Sequence, residues 1–161
     1  MKHTKSTEPN VLVDICLKDI QGIHPEVQNI VARTADVIYA SAPDDFSELT
    51  LCYLLTIHPI HVVELETQLY VIAGFRSFEL ATLALTREST ITCMLHANIE
   101  SKDLTNIAMI DIAGSPIMHS LGAKFVQQLQ NLVQALGERV LTLFPRLQSI
   151  RRIRGQNKST T

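Results

Sequence analysis

Pro59-Ile60-His61-Val62-Val63-Glu64-Leu65-Glu66-Thr67-Gln68-Leu69-Tyr70-Val71-Ile72-Ala73-Gly74-Phe75-Arg76-Ser77 decides the reading of this chain. Two β-rich runs, Pro59 to Leu65 and Leu69 to Ala73, flank the polar Glu66-Thr67-Gln68 and read as a hairpin. Phe78, Ala81 and Leu85 then recur with good helix formers between them, so a buried strand passes into a helix at Gly74 with no room for a linker. The first free backbone N–H groups of such a helix all point one way. The helix dipole adds partial positive charge, Arg76 offers a bidentate fork and Ser77 a hydroxyl. Gly74, Phe75, Arg76 and Ser77 are therefore read as a turn able to hold a nucleotide or nucleic-acid phosphate. The same residues also allow a plain structural turn, in which Gly74 permits the bend and Arg76 pairs with a nearby carboxylate.

On the N-terminal side, residues 1–10 lack apolar periodicity and read as a flexible tail. Val11 to Leu17 is short and β-branched, a buried strand followed by the breakers Gly22 and Pro25. Val27, Ile30, Val31, Ala35 and Ile38 predict an amphipathic helix from Glu26 to about Ala40, and Ser41 to Asp45 a turn. Leu49 to Leu55 is apolar enough to be a buried strand or a helix, and the pattern leaves both open.

On the C-terminal side, Thr86 to Ser89 close the helix and Ile91 to Leu95 form a further strand. Ser101-Lys102-Asp103 caps a helix traced by Leu104, Ile107, Ala108 and Ile110, with a stop near Gly114-Ser115-Pro116. Leu121, Phe125, Leu129, Leu132, Val133, Leu136 and Val140 make a long apolar stripe opposite Lys124, Gln127, Gln128, Asn131, Gln134 and Glu138. That helix is expected to dock on the domain, on a second copy or on a partner protein. Pro145 breaks it, and Arg146, Arg151, Arg152, Arg154 and Lys158 form a basic tail that is either a nucleic-acid contact or a solvated terminus.

The 161 residues are enough for one domain with a core of its own, and that core is aliphatic because aromatics make up only 5%. A net charge of −2 excludes a uniformly basic nucleic-acid glove, so phosphate contacts must be local. Cys16, Cys52 and Cys93 lie far apart without a Cys-x-x-Cys pair, which excludes a zinc ribbon or dithiol motif and suits a reducing compartment. The polar N-terminus and the absence of a membrane-length apolar run read as a cytoplasmic chain with no membrane partner.

Other groups could carry chemistry. Glu64 and Glu66 fall two apart on an expected strand, hence on one face, where two carboxylates could hold a divalent metal for nuclease chemistry; exposed strand residues do the same without a function. Glu79 and Asp111 are the other carboxylate candidates. His58 and His61, three apart, would face opposite sides of a strand, and His96 and His119 have no partner in local sequence. The six histidines are read as ordinary surface or core residues, and no metal ligand is assigned.

The order Pro59-Ile60-His61-Val62, then Ile72-Ala73-Gly74-Phe75-Arg76-Ser77, then Ala81 resembles the ParB/sulfiredoxin family. Its ParB-like members carry a "P-I-x-V" strand, then "I-x-G-x-R-R-x-x-A-A", a short strand, and a helix bearing "E-N". Ile91 to Leu95 matches the later strand, and Leu104 to Asp111 resembles the helix. The similarity covers roughly residues 11 to 113 and is best between Pro59 and Leu85.

The resemblance implies an α/β (α+β) fold, a small mixed sheet with flanking helices and a long C-terminal helix. Its divisions would be a tail at 1–10, a domain at 11–115, a helical extension at 116–145 and the basic tail at 146–161. It also implies a nucleoside triphosphate with Mg at Gly74 to Ser77, NTPase or DNase activity, DNA as a partner, and a bacterial plasmid, phage or integrative-element setting. Two positions depart from the pattern: Ser77 replaces the second arginine, and "E-N-x-x-R" appears as Asp111-Ile112-Ala113-Gly114-Ser115. The sulfiredoxin cysteine would fall at Phe75, so that repair chemistry lacks its nucleophile. No helix-turn-helix follows the core. The alternative is an inactive interaction module that uses the amphipathic helix at 121–144.

Overall fold

The structure, a computed structural model, describes residues 10–34, 42–97 and 99–119, with side chains as far as Ala113. Five strands make one mixed sheet: β1 (Val11–Cys16), β2 (Ile20–Ile23), β3 (Ile60–Leu65), β4 (Gln68–Ala73) and β5 (Thr90–His96). Their order is β1-β5-β3-β4-β2. The β3–β4 and β1–β5 pairs are antiparallel, whereas β3–β5 and β2–β4 are parallel. Helices α1 (Gln28–Arg33), α2 (Glu48–Ile57), α3 (Phe75–Ala84) and α4 (Ser101–His119) flank the sheet.

Alternation along the central strands feeds two cores. Ile60 and Val62 of β3, Val71 of β4 and Cys93 of β5 pack with Leu51 and Leu55 of α2 and Leu80 and Ala81 of α3. The neighbouring Ile72 faces the other way, onto Val27 and onto Leu104 and Ala108 of α4. The sheet is thus covered on both faces, which suits its near-continuous apolar central strands.

Several elements depart from the expectations. The hairpin loop is only Glu66-Thr67, at φ 50° and 68°, because the positive φ of both residues matches the twist of the strands they join. Glu64 therefore lies on β3 and Glu66 in the turn, so the two carboxylates do not share a strand face. His58 ends α2 as its C-cap and is not a strand residue, so the expected opposition of His58 and His61 across a strand does not arise. Leu49 to Leu55 is helical, started by Ser47, whose Oγ accepts the Thr50 N–H at 3.1 Å. Strand β2 was not expected; Gly22 sits within it at φ 137°.

Helix α4 runs on through Gly114-Ser115-Pro116 to His119 and crosses the expected stop. A proline removes one rung of the hydrogen-bond ladder, and here it follows turns anchored by the buried Leu104 and Ala108. Of the expected helix at 26–40, α1 covers Gln28–Arg33. Residues 35–41, the amphipathic segment at 121–144 and the basic tail lie outside the described residues. Among the described residues, no helix is long and apolar enough to cross a membrane.

Candidate functional site

Strand β4 ends at Ala73 and α3 begins at Phe75, which leaves Gly74 alone to turn the chain, at φ 73° and ψ 33°. Only glycine enters this left-handed region without a steric cost. A second constraint acts on the same atom: a Cβ at Gly74 would lie 2.9 Å from the Pro59 carbonyl oxygen and 3.1 Å from the Ile60 Cα. Both are backbone atoms at the start of β3. The turn is therefore packed directly on the neighbouring strand.

A glycine N-cap has no side chain to satisfy the amides of its own helix. The missing acceptor comes from α4. Asp111 Oδ2 accepts the Gly74 N–H at 2.8 Å and the Phe75 N–H at 3.1 Å, so one anionic oxygen sits where two backbone donors and the positive end of the α3 dipole converge. The next residues are also engaged. Arg76 Nη1 donates to Glu79 Oε2 at 2.6 Å within α3, and Ser77 Oγ donates to the His58 carbonyl at 3.0 Å.

These groups line a cleft of about 650 Å³. Leu54 and Ile57 of α2, Phe75 and Leu80 of α3, and Ile112 of α4 form its apolar walls, while His58, His61, Arg76, Ser77 and Asp111 supply polar atoms. Gly74 to Ser77 are thus brought together with Asp111, with Glu79 beside them through Arg76. Glu64 and Glu66 are exposed and are not among the lining residues. Among the described residues, no group of three or more His, Cys, Asp or Glu side chains is placed to hold a metal.

His61, one of these polar lining residues, pairs with a histidine that is not among them. His61 on β3 and His96 at the end of β5 have Nδ1 and Nε2 2.8 Å apart, with ring centroids at 5.0 Å and planes 29° from each other. Parallel pairing creates the contact, because Val63 lies beside His96 and His61 beside Met94. Burial pushes the pKa of His61 below the ordinary 6.5, opposed by the carboxylate of Asp111. Burial also lowers that of His96, and His61 adds to the effect.

Sequence reasoning did not find the His61–His96 pair or the capping role of Asp111. The partners are separated by 35 and 37 residues. The available signal was chemical: a Gly N-cap leaves amides that some acceptor must meet.

No protein-family model matches the chain, and no curated protein matches it. Among solved structures, the chain is similar to the C-terminally truncated chromosome-partitioning protein ParB from Caulobacter crescentus, crystallised with CTP-γ-S. The TM-score is 0.48 at 13% identity, and the alignment covers 78% of this chain and 64% of that one. The chain thus spans less than two thirds of that structure's length.

Proposed function

We propose that the chain is a binding domain for a phosphate-bearing ligand, a nucleoside triphosphate before all others, seated in the cleft between α2, α3 and α4. The observation that carries this reading is the convergence of the Gly74 and Phe75 N–H groups on one anionic oxygen, Oδ2 of Asp111. In the ligand-free chain the carboxylate acts as a built-in anion; in the complex a phosphate oxygen takes its place on the same donors. Arg76 then exchanges its partner Glu79 for the phosphate, and Ser77 lies within the same turn. The cleft volume of about 650 Å³ falls inside the usual range for small-molecule sites, and its Leu54, Ile57 and Leu80 walls suit the apolar faces of a base.

A thermal-shift screen of the four nucleoside triphosphates and a single-stranded oligonucleotide, each with and without Mg²⁺, tests this reading and separates a free nucleotide from a nucleic-acid backbone. A ligand at a hundred times its Kd stabilises by about 2.7 kcal/mol. That corresponds to roughly 5 to 11 °C for a domain of this size. Arg76→Ala should reduce the shift. A flat screen, or a shift indifferent to Arg76→Ala, counts against the reading; NTPase and DNase activity can be assayed in the same samples.

A second reading, a protein-interaction module, has one observation in its favour. Leu49, Tyr53 and Ile57 recur at four-residue spacing on α2 and are 60%, 60% and 67% exposed. Sedimentation of wild type, Tyr53→Glu and a deletion of residues 121–144, each shown by melting to be folded, tests it. Association unchanged in both variants removes it.

A further inference from the structure

We infer that the His61–His96 pair is the proton-linked part of the cleft, taking up one proton when a phosphate-type dianion enters. The inference rests on the phosphate-binding reading of the same cleft and adds a regulator to it.

The geometry comes first. A ring nitrogen contact of 2.8 Å needs one N–H and one lone pair, so two neutral imidazoles hold a single hydrogen between them. His61 spends Nδ1 on this contact, which leaves Nε2 as the ring nitrogen available to a ligand; its side chain lines the cleft. Adding one proton makes both nitrogens of His61 donors while His96 keeps its lone pair in the bond. A second proton would place a hydrogen on both sides of the contact and put two cations at a 5.0 Å ring separation. The pair is therefore built for one proton.

The surroundings set when that proton enters. Burial disfavours the cationic form of both rings, so the pair is neutral in the ligand-free chain near neutral pH. The groups facing it are Asp111 from α4, which favours protonation of His61, and His58 and Arg76, which share the cleft from the end of α2 and from α3. A dianion replacing the Asp111 carboxylate on the amides brings more negative charge into the cleft than the carboxylate alone. Protonation of the pair becomes favourable, and by linkage the anion binds more tightly as pH falls.

The probe is sulfate, a tetrahedral dianion that does not itself titrate between pH 5 and 8.5. Histidine-ring and backbone-amide NMR of the full chain would be followed through that range without and with sulfate. The expected result is a single shared titration of His61 and His96 that moves upward with sulfate. Sulfate affinity should be roughly tenfold higher at pH 5 than at pH 8, the factor that follows when binding raises the shared midpoint by about one pH unit. His61→Gln should remove that pH dependence. If the Gly74 and Phe75 amides respond to sulfate while both rings titrate unchanged, the proton linkage is wrong and the anion site stands. If sulfate at saturating concentration moves neither amides nor rings, the phosphate reading fails and the linkage with it.

Discussion

Replacing Asp111 by alanine should move stability and anion affinity in opposite directions by matched amounts. In the structure, Oδ2 accepts two backbone N–H groups, at 2.8 and 3.1 Å. An N-terminal capping acceptor contributes roughly 0.5–2 kcal/mol. A negative charge at the positive end of a helix adds roughly 0.3–1 kcal/mol. The cleft is open, so water can solvate the freed amides and the larger penalty for fully buried donors does not apply. The loss should therefore be about 1–3 kcal/mol, or roughly 2–12 °C in Tm. A ligand that displaces the carboxylate must first give up that same free energy. In Asp111→Ala this cost is gone, and nucleotide binding should tighten by the matching factor, about 5- to 150-fold. Asp111→Asn keeps an oxygen acceptor without the charge and should fall between wild type and alanine on both scales. Urea unfolding and calorimetric nucleotide titration give the two numbers. An Asp111→Ala protein that melts lower and binds no tighter refutes the idea that the carboxylate and the ligand compete for the same donors.

Three further outcomes follow from the same geometry. Gly74→Ala combines a left-handed backbone, costing about 1–2 kcal/mol, with a clash of the new Cβ against the Pro59 carbonyl oxygen, costing about 1–3 kcal/mol, so urea unfolding should show a loss of about 2–5 kcal/mol; a loss no larger than the backbone cost of about 1–2 kcal/mol would mean that the Pro59 contact contributes nothing. His61 and His96 titrate below 6.5 when folded and at the ordinary value when unfolded, so between those limits the unfolded chain binds more protons. Stability should then be flat above about pH 7.5 and decline as pH falls below 6.5, with a shallower decline in a His61→Asn/His96→Asn variant; a wild type that gains stability across that window on acidification contradicts this. The Cys93 thiol is pushed up to about 12 by burial and then by Asp14, whereas Cys52 is exposed. A thiol reagent at pH 8 should modify Cys52 in the native chain and Cys93 only after unfolding, and early labelling of Cys93 would show that its core opens.

The elements that were legible in the sequence are those whose partners are near in the chain. The β3–β4 hairpin announces itself by two β-branched runs around a polar loop, and the passage into α3 by a glycine with helical spacing after it. Strand β2 escaped because it has four residues, includes Gly22 and pairs in parallel with the distant β4, so no local period marks it. Helix α2 was ambiguous because Leu49, Tyr53 and Ile57 are apolar and exposed, which blurs the amphipathic pattern that Leu51 and Leu55 would otherwise draw. The site divides the same way. Gly74 to Ser77 could be picked out from a strand-to-helix turn, but the acceptor on its amides arrives from another helix. The histidine pair exists only because β5 returns beside β3 in parallel.

A structure of the full chain grown with the nucleoside triphosphate that gives the largest thermal shift is the most direct measurement. A phosphate oxygen is expected about 2.7–3.2 Å from both the Gly74 and Phe75 nitrogens, with the Asp111 carboxylate displaced from them. A complex in which Asp111 still holds both amides, and the triphosphate lies elsewhere, would contradict this expectation.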